Sequence, residues 1–209
     1  MIRINIGCGR SPTEGWINFD NSPSIFLSKI YFIRALLKYL RIIDSDQLDF
    51  INFCRKNNIK WANAKKIPIE DSSAIALYSS HMLEHMNRKE VKKFISECYR
   101  VLSKNGVIRI VVPDLSMLID DYIANKDADA LLEKTLLIDE SDKSLKSILM
   151  GYRGHKWMYD GLSLCKILKE AGFSDPAIIN PGETRIQNYG SLNLSERNEE
   201  SVYVEAVKK

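Results

Sequence analysis

Four short runs carry the residue types that do chemistry, and each directly follows an apolar stretch. Gly7-Cys8-Gly9 follows Ile2 to Ile6, and Asp20 follows Trp16 to Phe19. Ser79-Ser80-His81 ends the stretch that starts at Ala74, and Pro113-Asp114 ends Val107 to Val112. Glycines without a Cβ let a backbone approach a ligand closely. The dinucleotide fingerprint needs a third glycine, and Pro12 stands in its place. Only ten residues separate Gly9 from Asp20, which leaves little room for the long helix that usually receives a diphosphate. A nucleoside ligand without a diphosphate misses that helix less. A carboxylate at Asp20 can accept hydrogen bonds from both ribose hydroxyls. The run Asp20-Asn21-Ser22-Pro23 also suits a plain turn.

The run His81-Met82-Leu83-Glu84-His85 fits H-x-x-E-H, the motif of inverted zinc peptidases. On a helix, His81 and His85 share a face and bind one Zn²⁺, with Glu84 as general base. The context opposes that reading, because the motif starts directly at a strand end and leaves the glycines and Asp20 unexplained. The chain has three histidines, and an imidazole near its ordinary pKa is the natural base at neutral pH. His85 and His155 are the first candidates for a general base, and Asp114 is the third. Their structural alternatives are packing for His85 and anchoring of the loop before Leu162 for His155.

The elements that must position these residues follow from periodicity. Strands are expected at Ile2 to Ile6, Trp16 to Phe19, Ile59 to Ala62, Ala74 to Ser79, Val107 to Val112, Ala177 to Ile179 and Ser201 to Val207. Helices are expected at Ile25 to Ile43, at Arg88 to Leu102, over much of 115–150, and at Leu162 to Ala171 before Gly172. In the second of these, Val91, Phe94, Ile95, Cys98, Val101 and Leu102 share one face. Asn105-Gly106 is expected to end it. Alternation of strands with helices predicts an α/β domain with a largely parallel sheet. The last strand follows no helix and is expected to enter antiparallel. Ligands of such sheets bind outside the carboxyl ends of the strands, where all four chemistry-bearing runs fall.

Composition sets the bounds. The chain has 209 residues, with 45% hydrophobic and 27% charged residues, which is an ordinary globular balance. A single domain is expected, and disorder or a fibrous fold is excluded. The net charge of +3 is too small and dispersed for a dedicated nucleic-acid binder. The longest stretch free of Asp, Glu, Lys and Arg, Ser72 to Leu83, has 12 residues, too few to span a bilayer. No signal peptide is visible, and Cys8, Cys54, Cys98 and Cys165 are scattered. A cytoplasmic chain with reduced thiols is expected.

The ordered set of motifs resembles the class I S-adenosylmethionine-dependent methyltransferases. Within them it resembles the small group of predicted methyltransferases found among polysaccharide-biosynthesis genes. The likeness rests on Ile4-Asn5-Ile6-Gly7-Cys8-Gly9, Gly15 to Asp20, Tyr78 to His85, Glu97 to Leu102, Arg109 to Leu115, His155 to Asp160, Glu170 to Phe173 and Glu200 to Ala206. It implies a Rossmann-like fold with seven strands, mostly parallel, helices on both faces and a late antiparallel strand. It implies S-adenosyl-L-methionine as cofactor and S-adenosyl-L-homocysteine as product. The cofactor residues it implies are Gly7, Cys8 and Gly9 near the methionine part, Asp20 at the ribose, and Asn63 and Ala64 at the adenine. Ser79, Ser80 and His81 would line the methyl end. Three positions depart from the pattern: Asn63 stands for Asp, Ala74-Ile75 for Phe-Asp, and Lys104-Asn105-Gly106-Val107 for Lys-Pro-Gly-Gly. An Asn at 63 accepts from an adenine amine without charge assistance.

The implied activity is methyl transfer to a hydroxyl of a sugar or surface-glycan precursor, a small-molecule or glycan acceptor, with no metal and no nucleic acid. A chain that binds the cofactor without catalysis, as a partner subunit, is the reading from another class. Residues 22–58 and 115–153 are expected to be helical insertions that cap the acceptor site in one domain, 1–209. The segment Ile25 to Ile43 carries Lys29, Arg34, Lys38 and Arg41 and no acid. It reads as a lid, a homodimer interface or a weak membrane-surface helix.

Overall fold

The computed structural model describes residues 1–23, 25–26, 45–137 and 154–209. The basic segment from Ile25 to Ile43 therefore lies almost wholly outside the described residues, as do residues 138–150 of the helical stretch predicted for 115–150. The described elements in chain order are β1 (Ile2–Ile6), β2 (Ile17–Asp20), α1 (Ser45–Lys56), β3 (Lys60–Trp61), β4 (Ala74–Ser80), α2 (Arg88–Val101), β5 (Leu102–Pro113), α3 (Leu115–Asn125), α4 (Ala128–Thr135), α5 (Gly161–Glu170), β6 (Ser174–Ile179) and β7 (Ser201–Val207). A three-residue 3-10 turn, Leu83–His85, lies between β4 and α2.

The strands form one seven-stranded sheet in the order β3-β2-β1-β4-β5-β7-β6. The pairs from β3 to β5 are parallel, and β7 runs antiparallel to both β5 and β6. This is the predicted Rossmann-like architecture with its late antiparallel strand. The chain leaves β1 in one direction to β2 and returns on the other side to β4. The gap between the carboxyl ends of β1 and β4 is where such sheets hold ligands.

Side-chain alternation assigns the two faces of the sheet. On one face Ile4, Leu77, Ile108, Ile110, Val112, Val202 and Val204 are buried with Val91, Phe94, Ile95 and Cys98 of α2 and with Leu164 and Leu168 of α5. Asn87 and Glu90 cap α2 reciprocally, and Asp160 and Ser163 do the same for α5. On the other face Ala76, Tyr78, Val107, Val111 and Tyr203 pack against Trp16, Ile186, Leu192 and Leu194. The cover there is irregular chain, whose backbone carbonyls have no helix to pair them.

Arg109, with no exposed surface, resolves this. Its guanidinium donates to the carbonyls of Glu183 and Leu194 at 2.9 Å each and to Glu205 Oε1 at 2.7 Å. Glu205, equally buried, also accepts from the Thr184 hydroxyl and the Arg185 amide. The helix-covered face has a smaller clamp. Glu97 accepts from the Ile67 amide and from Arg100, and Arg100 also donates to the carbonyls of Ile67 and Ile69 and pairs with Asp71. The hydrogen bonds from Arg100 and Ile67 hold the Glu97 carboxyl below its ordinary value.

Most boundaries shift from the sequence reading by a few residues, and the largest difference is at the start of β5. α2 ends at Val101, and β5 already begins at Leu102. Asn105 and Gly106 do not end the helix. They lie in a register break of β5, between the pairs Ala74–Leu102 and Ala76–Val107. Asn105 is left-handed there (φ 62°) and donates to the Lys208 carbonyl. Antiparallel pairing with the end of β7 keeps that segment extended, which local turn chemistry cannot show.

Breaking the buried pair leaves an uncompensated charge in the sheet. Glu205→Ala is expected to lower stability by about 3–5 kcal/mol in urea denaturation, and a loss under about 1 kcal/mol would contradict this account. Acid should act on Glu97. A depressed folded pKa adds stability above the ordinary glutamate value of 4.5, and that part is lost as pH falls through the lower folded value. Stability measured from pH 6 downward should therefore drop more steeply in the native chain than in Glu97→Gln.

Candidate cofactor and methyl-transfer site

The connection from β1 to β2, residues 7–16, contains no helix. Side chains hold it instead. Asn5 donates to the Ser11 carbonyl and the Thr13 hydroxyl. Asn18 accepts from the Thr13 amide and donates to the carbonyls of Thr13 and Trp16. Gly7 and Cys8 both donate to the Phe19 carbonyl at the end of β2. Gly7 and Gly9 are left-handed, with φ of +73° and +49°.

Asp20 ties this loop to β2. Its Oδ2 accepts from the Gly9 amide at 3.0 Å and its Oδ1 from the Ser22 amide at 2.8 Å. The turn role read from the sequence is present, and the half-buried carboxylate stands beside the glycine loop. Asn63 is exposed, and its Oδ1 accepts from the Lys65 amide, so it closes its own turn. Ala64 beside it is buried. Cys8 is buried, and burial next to Asp20 pushes its thiol far up, so it stays protonated and serves as packing.

At the end of β4 the hydroxyls of Ser79 and Ser80 are buried and have no hydrogen-bond partner among the described residues. Buried polar atoms left this way mark a place where a ligand or water completes the site. His81 is left-handed (φ 48°) with its amide on the Val111 carbonyl. Its Nε2 lies 2.9 Å from Ser201 Oγ, and its Nδ1 lies 3.2 Å from Arg197 and 3.4 Å from Glu84. His81 is thus engaged with β7 and its approach. It is not helical, so the two-histidine helix face of an inverted zinc peptidase is not formed.

The sharp turn at His81 throws Met82 onto the glycine loop. A Cβ added to Gly7 would stand 2.4 Å from Met82 Sδ. It also sends Glu84 inward, to 1% exposure. The Glu84 carbonyl accepts from the amides of Lys156 and Trp157, which docks the segment carrying His155. The rings of His85 and His155 meet edge to face, 5.1 Å between centroids. Burial pushes the His155 imidazole below its ordinary value, partly offset by Glu84. His85 and His155 therefore do come together, about a carboxylate that the sequence reading used only for the peptidase motif. Asp114 stands apart from them: its Oδ1 caps α3 by accepting from Ser116, and its neighbour Leu115 donates to Tyr159. No signal in the sequence points to Met82 as the contact of Gly7.

These residues fit an S-adenosyl ligand. The left-handed glycines leave a backbone cradle without side chains, Asp20 offers acceptors for a ribose, and the orphaned Ser79 and Ser80 hydroxyls lie at the strand end beyond. Bound there, S-adenosylmethionine supplies a methyl group activated on a sulfonium. The chain's part would be to orient it and exclude water.

Residues 39–110 match the family model described as a methyltransferase domain. No curated protein matches the sequence. Among solved structures, a methyltransferase of Thermotoga maritima aligns over 100% of this chain and 82% of its own, at 16% identity and a TM-score of 0.53. One from Methanosarcina mazei aligns over 98% and 91%, at 16% identity and a TM-score of 0.52. Both are similar in fold. The cradle makes a direct prediction for S-adenosylhomocysteine calorimetry. Gly7→Ala combines a left-handed alanine with the Met82 clash and should weaken binding at least tenfold, about 1.4 kcal/mol. Gly9→Ala, with open space around its Cβ, should cost less. Equal losses would refute the close-contact role of Gly7. The methyltransferase-domain match over residues 39–110 and the strand order show the fold of the class I S-adenosylmethionine-dependent methyltransferases, which this chain resembles.

Proposed function

We propose that the chain transfers the methyl group to a hydroxyl of a sugar or surface-glycan precursor. The observation that carries this reading is the cluster of Glu84, His85 and His155, set directly after the strand that ends in Ser79 and Ser80. Hydroxyls, unlike amines, must lose their proton as the methyl arrives, so a proton-accepting group beside the methyl end is what such an acceptor requires. His85 and His155 fill that role, and Asp114 is a separate carboxylate at the end of the neighbouring strand.

The acceptor wall comes from the stretches 22–58 and 115–153. Their described parts include α3 and α4, whose exposed Met117, Ile119, Ile123 and Leu132 offer an apolar surface next to Asp114. A membrane-surface role for 25–43 would suit a lipid-linked acceptor. Among the described residues no helix is long and apolar enough to cross a membrane. A cytoplasmic location, where nucleotide-activated sugars are made, accords with the four free cysteines.

The test uses S-adenosylmethionine with an isotope-labelled methyl and a panel of nucleotide sugars and short glycans, read by mass spectrometry. Label on a sugar oxygen is expected, and label only on amines or carboxylates would overturn the reading. His85→Ala and His155→Ala should each lower turnover by about 10²–10⁴-fold with S-adenosylhomocysteine affinity nearly unchanged. Full turnover in both variants would remove the histidines from the proton transfer.

A further inference from the structure

The Glu84 carboxylate is the least expected group in the fold. It is 1% exposed, and neither oxygen has a hydrogen-bond partner among the described residues. Burying a carboxylate with nothing to receive it is costly, and native proteins resolve the cost with a cation or hydrogen bonds. Its nearest basic group, His81 Nδ1, stands 3.4 Å away without hydrogen-bond geometry.

Two imidazoles complete the surroundings. His85 Nδ1 lies 3.2 Å from the Gly154 carbonyl. A carbonyl only accepts, so this nitrogen carries the proton and Nε2 keeps its lone pair. That is the arrangement of a metal-bound histidine, whose other ring N–H is held by a backbone carbonyl. The Nδ1 of His155 is buried and without a partner among the described residues. One ligand atom from each of Glu84, His85 and His155 lies within 4.8 Å of the other two. A tetrahedral ion with bonds of about 2.1 Å holds its ligands about 3.4 Å apart, so a small inward turn of side chains closes the set.

We propose that Glu84, His85 and His155 bind a divalent transition-metal cation of the zinc class. Two nitrogens and one carboxylate oxygen favour Zn²⁺, Co²⁺ or Fe²⁺ over Mg²⁺ and Ca²⁺, which prefer all-oxygen sets. The site differs from the H-x-x-E-H peptidase reading, since His81 is not in the set and His155, 70 positions downstream of His85, is. It joins the end of β4 to the segment at 154–157, which the Glu84 carbonyl already docks. A cation here would do by Lewis acidity what free imidazoles do by basicity, since coordination lowers the pKa of a bound water to about 7.

The experiment uses the full chain, stripped with a chelator and then titrated with Zn²⁺ and with Co²⁺. About one equivalent of each should bind, and Zn²⁺ should raise the thermal midpoint where Mg²⁺ does not. The Co²⁺ form should show ligand-field bands without thiolate charge transfer, which separates this site from binding by the four cysteines. Glu84→Gln and His155→Ala should each weaken Zn²⁺ binding by more than about 100-fold, beyond the loss typical of an outer partner. No binding to the native chain, a thiolate spectrum, or undiminished affinity in both variants would overturn the proposal. Because these readouts need no acceptor, a metal-binding chain that labels no glycan would sink only the acceptor assignment, and glycan labelling by a chain that fails to bind Zn²⁺ and Co²⁺ would sink only this one.

Discussion

Two parallel neighbours, β1 and β2, are joined by only ten residues, and much of the structure answers that constraint. A parallel crossover normally carries a helix, which covers one face of the sheet and points its N-terminus at the ligand. Residues 7–16 are too few for one. The loop must therefore be fixed by side chains, and Asn5, Asn18 and Asp20 hold it from three sides. A ligand without a diphosphate suits such a loop, because glycine backbone and the Asp20 carboxylate remain when the helix is gone.

The missing helix also leaves a face of the sheet open. Trp16 at the end of the short crossover fills part of it and donates from its indole to the Tyr189 carbonyl, while Ser191 reaches back to Glu14. The rest is covered by the chain between β6 and β7. Irregular cover brings unpaired carbonyls into a buried layer, and these need donors. Arg109 sits on the correct parity of β5 to meet them, and Glu205, its register partner on β7, balances its charge. A buried ion pair is weak evidence for stability in itself. Here it has a definite task, which is to satisfy the backbone of a loop that stands where a helix would.

The strands were legible because each is a short apolar run closed by Gly, Pro or a polar residue, and the site was legible because its residues end those runs. The crevice between β1 and β4 follows from their order along the chain. Less could be read where the decisive partner is remote. Arg109 and Glu205 are 96 positions apart, and neither type announces a buried pair. The start of β5 at Leu102 depends on pairing with Ala74 of β4, while Asn105-Gly106 locally spells a helix end. The H-x-x-E-H spelling was visible, but its meaning turned on the backbone of His81. Had that residue been helical, His81 and His85 would face together. In the left-handed conformation the helical face is not formed, and it is His155 that clusters with His85 and Glu84.

That single backbone conformation couples the two halves of the site. A left-handed residue other than Gly or Asn is uncommon, and it persists only where its surroundings fix it. His81 is fixed at its amide by Val111 of β5 and at its ring by Ser201 of β7. The turn then places Met82 outward over Gly7 and Glu84 inward among the imidazoles. Any movement of the glycine loop must pass through Met82 to the residues that flank the carboxylate. The cofactor and proton-handling groups proposed above thus meet across residues 81–85, and a substitution at Met82 is placed to disturb both.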